Sequence, residues 1–175
     1  MAVIPLGAGS LLEYRVTEEK LACTGVVRVG HSCFCLTDPD PPPRWHRRAN
    51  ARDNGLVGVT EGAALVRTGC GAGWVNLTVE LYDQRPAPDT ASWDDAVEFS
   101  YRTTVGESYV ASRDGDGTDY PRISFHGPGC YRIRVHARGR RATLRATGTD
   151  PTEDYLLQVW PAPAERTEIL RASRP

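Results

Sequence analysis

Apolar residues recur at every second position through most of this chain, and that spacing constrains its fold more than any other feature. In the stretch "WVNLTVELYD" the side chains of Val75, Leu77, Val79 and Leu81 point one way, and those of Asn76, Thr78, Glu80 and Tyr82 the other. "CYRIRVHARG" sets Tyr131, Ile133, Val135 and Ala137 against Arg132, Arg134, His136 and Arg138. "VEFSYR" opposes Val97, Phe99 and Tyr101 to Glu98, Ser100 and Arg102. A period of two is the mark of a strand with one buried and one wet face. The same reading predicts strands over 11–16, 23–29, 31–36, 56–60, 64–68, 109–112, 122–126, 141–146, 155–160 and 168–171. Turn chemistry separates them: "DNG", "GCGAG", "RDGDG", "HGPG" and "TGTDP" supply Gly, Asn or Asp where the backbone needs positive φ. Only "SWDDAVE", opening on Ser92 as a cap, predicts a short helical turn. Many short strands with little helix predict an all-β fold, an antiparallel β-sandwich with short hairpins. Two Pro-rich loops, 38–48 and 84–93, cannot be central strands and are expected to cross between sheets or cover an edge.

The 175 residues, 40 % hydrophobic and 25 % charged, suit one domain over 1–175. The N-terminal stretch 1–20 and the tail after residue 160 read as peripheral additions. A net charge of −1 favours neither a nucleic acid nor a membrane as partner. The N-terminus lacks the basic region of a signal peptide. No apolar run approaches the roughly 18 residues of a membrane span. The expected compartment is therefore the cytoplasm, where the five cysteines stay reduced thiols.

The most chemical-looking stretch is "HSCFC". On a strand His31, Cys33 and Cys35 share one face, spaced about 7 Å apart and about 13 Å end to end. One zinc, with bonds of about 2.0–2.3 Å, cannot take both ends. The expectation is no metal and no cofactor, with Cys33 and Cys35 as small core hydrophobes. "DGDGTD" places Asp114 and Asp116 like the first two ligands of a calcium loop, but Thr118 and Asp119 break the pattern. It reads as a hairpin turn. No nucleophile elbow, zinc-protease or phosphate-loop motif is present. "GCGAG" around Cys70 reads as a turn feeding a strand, so no catalytic residue is assigned and the chain is expected not to be an enzyme.

Charge is segregated along the chain. Glu80, Asp83, Asp89, Asp94, Asp95 and Glu98 are opposed only by Arg85, whereas Arg122, Arg132, Arg134, Arg138, Arg140, Arg141 and Arg145 have no acidic residue among them. Two such runs are either solvated faces, or partners across neighbouring strands, or surfaces complementary to another molecule.

Along the chain "H-x-C-x-C" leads to a Pro-rich loop with Trp45, then "GLVGVTEGAALVRTG", "GWVNLTVEL", "WDDAVEFSY", "RISF" and "GPGCYRIRV". This order of features, over residues 29–137, resembles the ComJ family of competence-type nuclease inhibitors. The resemblance places Cys33 and Cys35 where that family has core hydrophobes. It implies a binding function: a nuclease or toxin as protein partner, occluded by an acidic patch of Asp94, Asp95 and Glu98 with Trp93 as aromatic anchor. The alternative is a β-sandwich module that holds a carbohydrate, phosphate or nucleic acid on Arg132, Arg134, His136 and Arg138, or on the aromatics Trp45, Tyr82 and Trp160. An edge strand at 168–171 leaves a dimer open.

Overall fold

The computed structural model describes residues 2–3, 12–39, 55–113, 117–143, 147–148 and 150–173. Thirteen strands occupy them: β1 (Ala2–Val3), β2 (Glu13–Val16), β3 (Lys20–Val29), β4 (Cys33–Thr37), β5 (Val57–Thr60), β6 (Ala63–Arg67), β7 (Ala72–Tyr82), β8 (Asp95–Thr103), β9 (Tyr109–Ser112), β10 (Gly129–Arg138), β11 (Thr147–Gly148), β12 (Asp154–Pro161) and β13 (Glu168–Arg171). No helix occurs among the described residues, none of which forms a membrane-spanning helix.

The strands form two sheets. The larger has the order β1-β2-β3-β7-β12-β10-β8-β13, with β11 beside β7. The smaller has the order β5-β6-β4-β9. Pairing is antiparallel, as the sequence predicts, except where β12 and β11 meet β7 in parallel. The chain between β7 and β12 carries β8 through β11, long enough for the crossover that a parallel pair requires.

The alternation sorts the side chains as expected. Val75, Leu77 and Val79 of β7, Val97, Phe99 and Tyr101 of β8, Ile133 and Val135 of β10, and Leu157 and Val159 of β12 are sealed from solvent against Phe34, Leu36, Ala64, Val66 and Val110 of the smaller sheet. Phe34 meets Tyr155 edge to face at 5.4 Å, a geometry that aromatic quadrupoles favour. Two tyrosines keep polar tips in this core: Tyr101 donates to the Gly62 carbonyl at 2.9 Å and Tyr120 to the Leu77 carbonyl at 3.0 Å.

Three local expectations are corrected. The strand expected at 31–36 begins at Cys33, because His31 and Ser32 (φ 54° and 59°) form the two-residue turn that carries the chain from β3 into β4. The segment 122–126 is not a strand: the Ile123 amide donates to Ser108 and the Gly127 amide closes a turn on Ser124. "SWDDAVE" contains no helical turn; residues 91–94 bend and Asp95 opens β8. Residues 141–143 form a turn, and the rest of the strand expected over 141–146 lies outside the described residues. So do Trp45, most of loop 38–48, Asp114 and Asp116.

Two buried carboxylates tie loops to the sheets through hydrogen bonds. Asp38 accepts from Thr103 Oγ1 at 2.8 Å and from Ser108. Glu153 accepts the amides of Gly69 and Cys70 and the hydroxyls of Thr143 and Tyr155. That set shapes the "GCGAG" turn. Burial and the neighbouring Glu153 charge raise the Cys70 thiol, which is the opposite of what a nucleophile needs.

Candidate functional site

The outer face of the larger sheet, which the alternation predicts to be wet, carries the polar half of each strand. Cross-strand register places Ala22, Glu80, Gln158, Arg134 and Glu98 side by side over β3, β7, β12, β10 and β8. The four polar side chains among them form one hydrogen-bonded chain, which Lys20, Tyr82 and Arg132 extend. Lys20 bonds Glu80, Tyr82 donates to Glu80 Oε2 at 2.7 Å, and Gln158 Nε2 donates to the same oxygen at 3.0 Å. Arg134 Nη1 donates to Gln158 Oε1 at 2.9 Å, and Arg134 Nε to Glu98 Oε2 at 3.1 Å. Arg132 reaches Glu98 Oε1 at 3.0 Å and Ser100 Oγ at 3.0 Å. A third guanidinium, Arg85, lies 3.1 Å from Glu98 Oε1.

This network is mostly sealed from water. Glu98, Arg134 and His136 are 0 % exposed and Arg132 is 1 % exposed. The cover comes from distant chain. Pro86 and Ala87 accept from Arg134 through their carbonyls, and Glu165 and Arg166 accept from Arg132. Of the alternatives that the two charge runs leave open, pairing across neighbouring strands is the one that Glu98, Arg132 and Arg134 adopt. Glu98 is buried against Arg132 and Arg134 across β8 and β10, and His136 is buried beside them, so none of the four lies open at the surface. Of Arg132, Arg134, His136 and Arg138, only Arg138 remains exposed, paired with Asp154 at 2.7 Å. Asp95 is also buried, accepting from Ser173 and pairing with Arg140 at 3.1 Å. Burial pushes the Glu98 and Glu80 carboxyls up, but hydrogen bonds from Arg132 and Arg134 to the one, and from Gln158 and Lys20 to the other, outweigh it. Both end below the usual carboxylate range.

Trp93 and Asp94 remain accessible. The Asp94 carboxylate accepts the Gly139 amide at 2.9 Å while its own amide donates to the Ala137 carbonyl. That double latch lays Trp93 over His136, with ring centroids 5.3 Å apart. Arg138 packs on the indole at 5.4 Å. Neither nitrogen of His136 is paired in hydrogen-bonding geometry, although the Leu156 backbone favours the charged ring. Desolvation, and then the charge of Arg134, push this imidazole down to about 4. An unpaired buried polar group costs about 1–3 kcal/mol, so the ring is an exception among the satisfied groups around it.

Beside Trp93 a groove of about 780 Å³ opens between the β2–β3 turn and the segment 83–93. Glu80, Tyr82, Leu156 and Gln158 line it along the sheet, and Glu18, Glu19, Asp83, Arg85, Asp89 and Trp93 line it from the two loops. Five carboxylates thus face two cations, Lys20 and Arg85, which are engaged with Glu80 and Glu98. Glu18, Glu19, Asp83 and Asp89 are exposed. Of the residues nominated from sequence, Trp93 and the aromatic Tyr82 of the alternative reading line this groove. Asp83 and Asp89 were legible in the acidic run, whereas Glu18 and Glu19 come from another hairpin and carry no local signal.

The "HSCFC" thiols sit elsewhere, on β4. Cys33 and Cys35 are buried, and His31 is exposed in the turn rather than on their strand. A hydrogen bond from Cys35, working against burial and helped by Arg113 and Arg67, brings Cys33 down to about 7. Among the described residues no group of three or more His, Cys, Asp or Glu is placed to hold a metal.

No protein-family model matches this sequence, and no curated protein does. Two solved structures share its fold. The crystal structure of ComJ, inhibitor of the DNA degrading activity of NucA, from Bacillus subtilis, superposes with a TM-score of 0.54 at 11 % identity, over 87 % of this chain and 99 % of that one. The product of crocagin biosynthetic gene J superposes with a TM-score of 0.51 at 14 % identity, over 82 % of this chain and 99 % of that one. The resemblance to ComJ noted in the sequence is thus a resemblance of fold, spanning nearly the whole of both relatives.

Proposed function

We propose that this chain is a non-enzymatic, protein-binding module of the inhibitor type, acting on a nuclease or toxin with a basic surface. The observation that carries the reading is the acidic groove beside Trp93, built on a fold shared with a nuclease inhibitor. A nuclease needs a cationic surface to hold phosphates, and carboxylates placed against it compete with the nucleic acid. In this reading Trp93 and Asp94 touch the partner together with Glu18, Glu19, Asp83 and Asp89. Asp95 and Glu98 act from below, by holding the segments that form the surface. The alternative ligand face of Arg132, Arg134, His136 and Arg138 has no comparable support, since three of the four are buried.

The test is a plasmid-cleavage assay. The purified chain is added at increasing molar ratio to NucA and to any nuclease encoded beside its own gene. Inhibition that saturates near one to one supports the reading. Undiminished cleavage by both enzymes, with no complex on size exclusion, defeats it.

A further inference from the structure

Two independent observations converge at one end of the groove. The first is electrostatic: four exposed carboxylates, Glu18, Glu19, Asp83 and Asp89, surround a floor whose two cations are engaged. The second is the orphaned imidazole. His136 lies on the same sheet face, opposite Leu156, which itself lines the groove, and its ring stacks against Trp93, another lining residue, at 5.3 Å. Its ring is wholly buried with both nitrogens unpartnered.

We propose that this groove binds an arginine side chain of the partner, with Trp93 moving aside so that the guanidinium reaches both the rim carboxylates and His136. The assignment rests on the inhibitor reading for the identity of the partner, but not for the chemistry of the site. A neutral imidazole has one acceptor nitrogen, and a guanidinium is a donor with no acceptor of its own. The incoming group therefore satisfies a nitrogen that the free protein leaves unpaired. Its other donors meet carboxylates in the charge-assisted, forked geometry that arginine favours over lysine. The indole already accepts one guanidinium on its surface, that of Arg138 at 5.4 Å, and displaced from His136 it offers its other face to a second. A volume of about 780 Å³ falls within the range of pre-formed ligand sites.

The experiment titrates the full chain, at low salt, with a capped Gly-Arg-Arg-Gly peptide and with the same peptide carrying citrulline. Binding is followed through the Trp93 indole and His136 ring resonances. Expected are saturable binding of the arginine peptide, at least tenfold weaker binding of the citrulline peptide, and a shift of the His136 ring nitrogens at saturation. Paired rim variants, Glu18→Gln with Glu19→Gln and Asp83→Asn with Asp89→Asn, change only exposed carboxylates and should weaken binding at least fivefold. Equal affinity for both peptides, affinity unchanged in the rim variants, or His136 resonances that stay fixed at saturation overturn the assignment. A chain that inhibits a nuclease yet shows no arginine-selective binding keeps the inhibitor reading and loses the groove. Arginine-selective binding without nuclease inhibition supports the groove and counts against that reading.

Discussion

Arg134 and Glu98 are direct cross-strand partners on β10 and β8, joined from Nε to Oε2 at 3.1 Å and from Nη2 at 3.0 Å, with neither side chain open to solvent. Their pairing turns two charge runs that look like opposed surfaces into the underside of a covered network.

Removing one member of such a pair strands the other. Glu98→Ala leaves Arg132 and Arg134 buried without their carboxylate and should lower stability by about 3–5 kcal/mol. Urea denaturation measures it. Replacing Glu98, Arg132 and Arg134 together by apolar residues of similar volume should cost less than Glu98→Ala alone; a larger loss would show that the network is worth more than its packing.

Stability should fall with acid in two windows. His136 is held at about 4 in the folded chain, against about 6.5 when unfolded. The unfolded state then binds the extra proton between those values. Stability is complete above pH ~6.5 and declines as pH falls toward about 4, by roughly 3 kcal/mol in all. His136→Phe should flatten that part of the profile. The depressed Glu98 and Glu80 carboxyls act lower: their contribution is present above the unfolded carboxylate pKa of about 4.3 and is lost as pH drops through their folded values.

Trp93 is the cover that keeps His136 dry. Trp93→Ala should let water reach the ring and move its titration up from about 4 by at least one pH unit, as followed by NMR of the ring protons. An unchanged midpoint would mean that strands β10 and β12, rather than the indole, exclude solvent.

Gly69 has no room for a side chain. A Cβ there would lie 1.9 Å from the Arg140 carbonyl oxygen and 2.7 Å from its carbon. Gly69→Ala should cost about 1–3 kcal/mol through forced backbone displacement. Hydrogen exchange should speed first at the Gly69 and Cys70 amides, which Glu153 holds.

The long strands were legible because each turns its apolar residues to the core and its polar residues to the other face, which writes a period of two into the sequence. Strands β9 and β13 also run as expected over 109–112 and 168–171, and β7, β8 and β10 extend the readings made for them by a few residues. Errors fell where period two is too short to discriminate. Ile123 is buried without being on a strand, held by an amide bond to Ser108. His31 and Ser32 take positive φ without being glycine, so turn composition did not reveal their turn. The site was less legible. The acidic run was visible, but not which of its members would stay in water.

By itself the sequence determined that this chain is built of strands, and which side of β7, β8 and β10 carries the core residues, because alternation is a local property of neighbouring residues. Only the tertiary structure decided which charges remain available. Glu98 meets Arg132 and Arg134 because β8 pairs with β10, and residues 83–94 and 161–168 lie over them. Glu18 and Glu19 join Asp83 and Asp89 because β3 pairs with β7, so that the β2–β3 turn faces the segment beyond β7. Cross-strand neighbours and covering segments are distant in sequence. The burial that turns a carboxylate from a surface contact into an internal tether is set by them, not by the residues beside it.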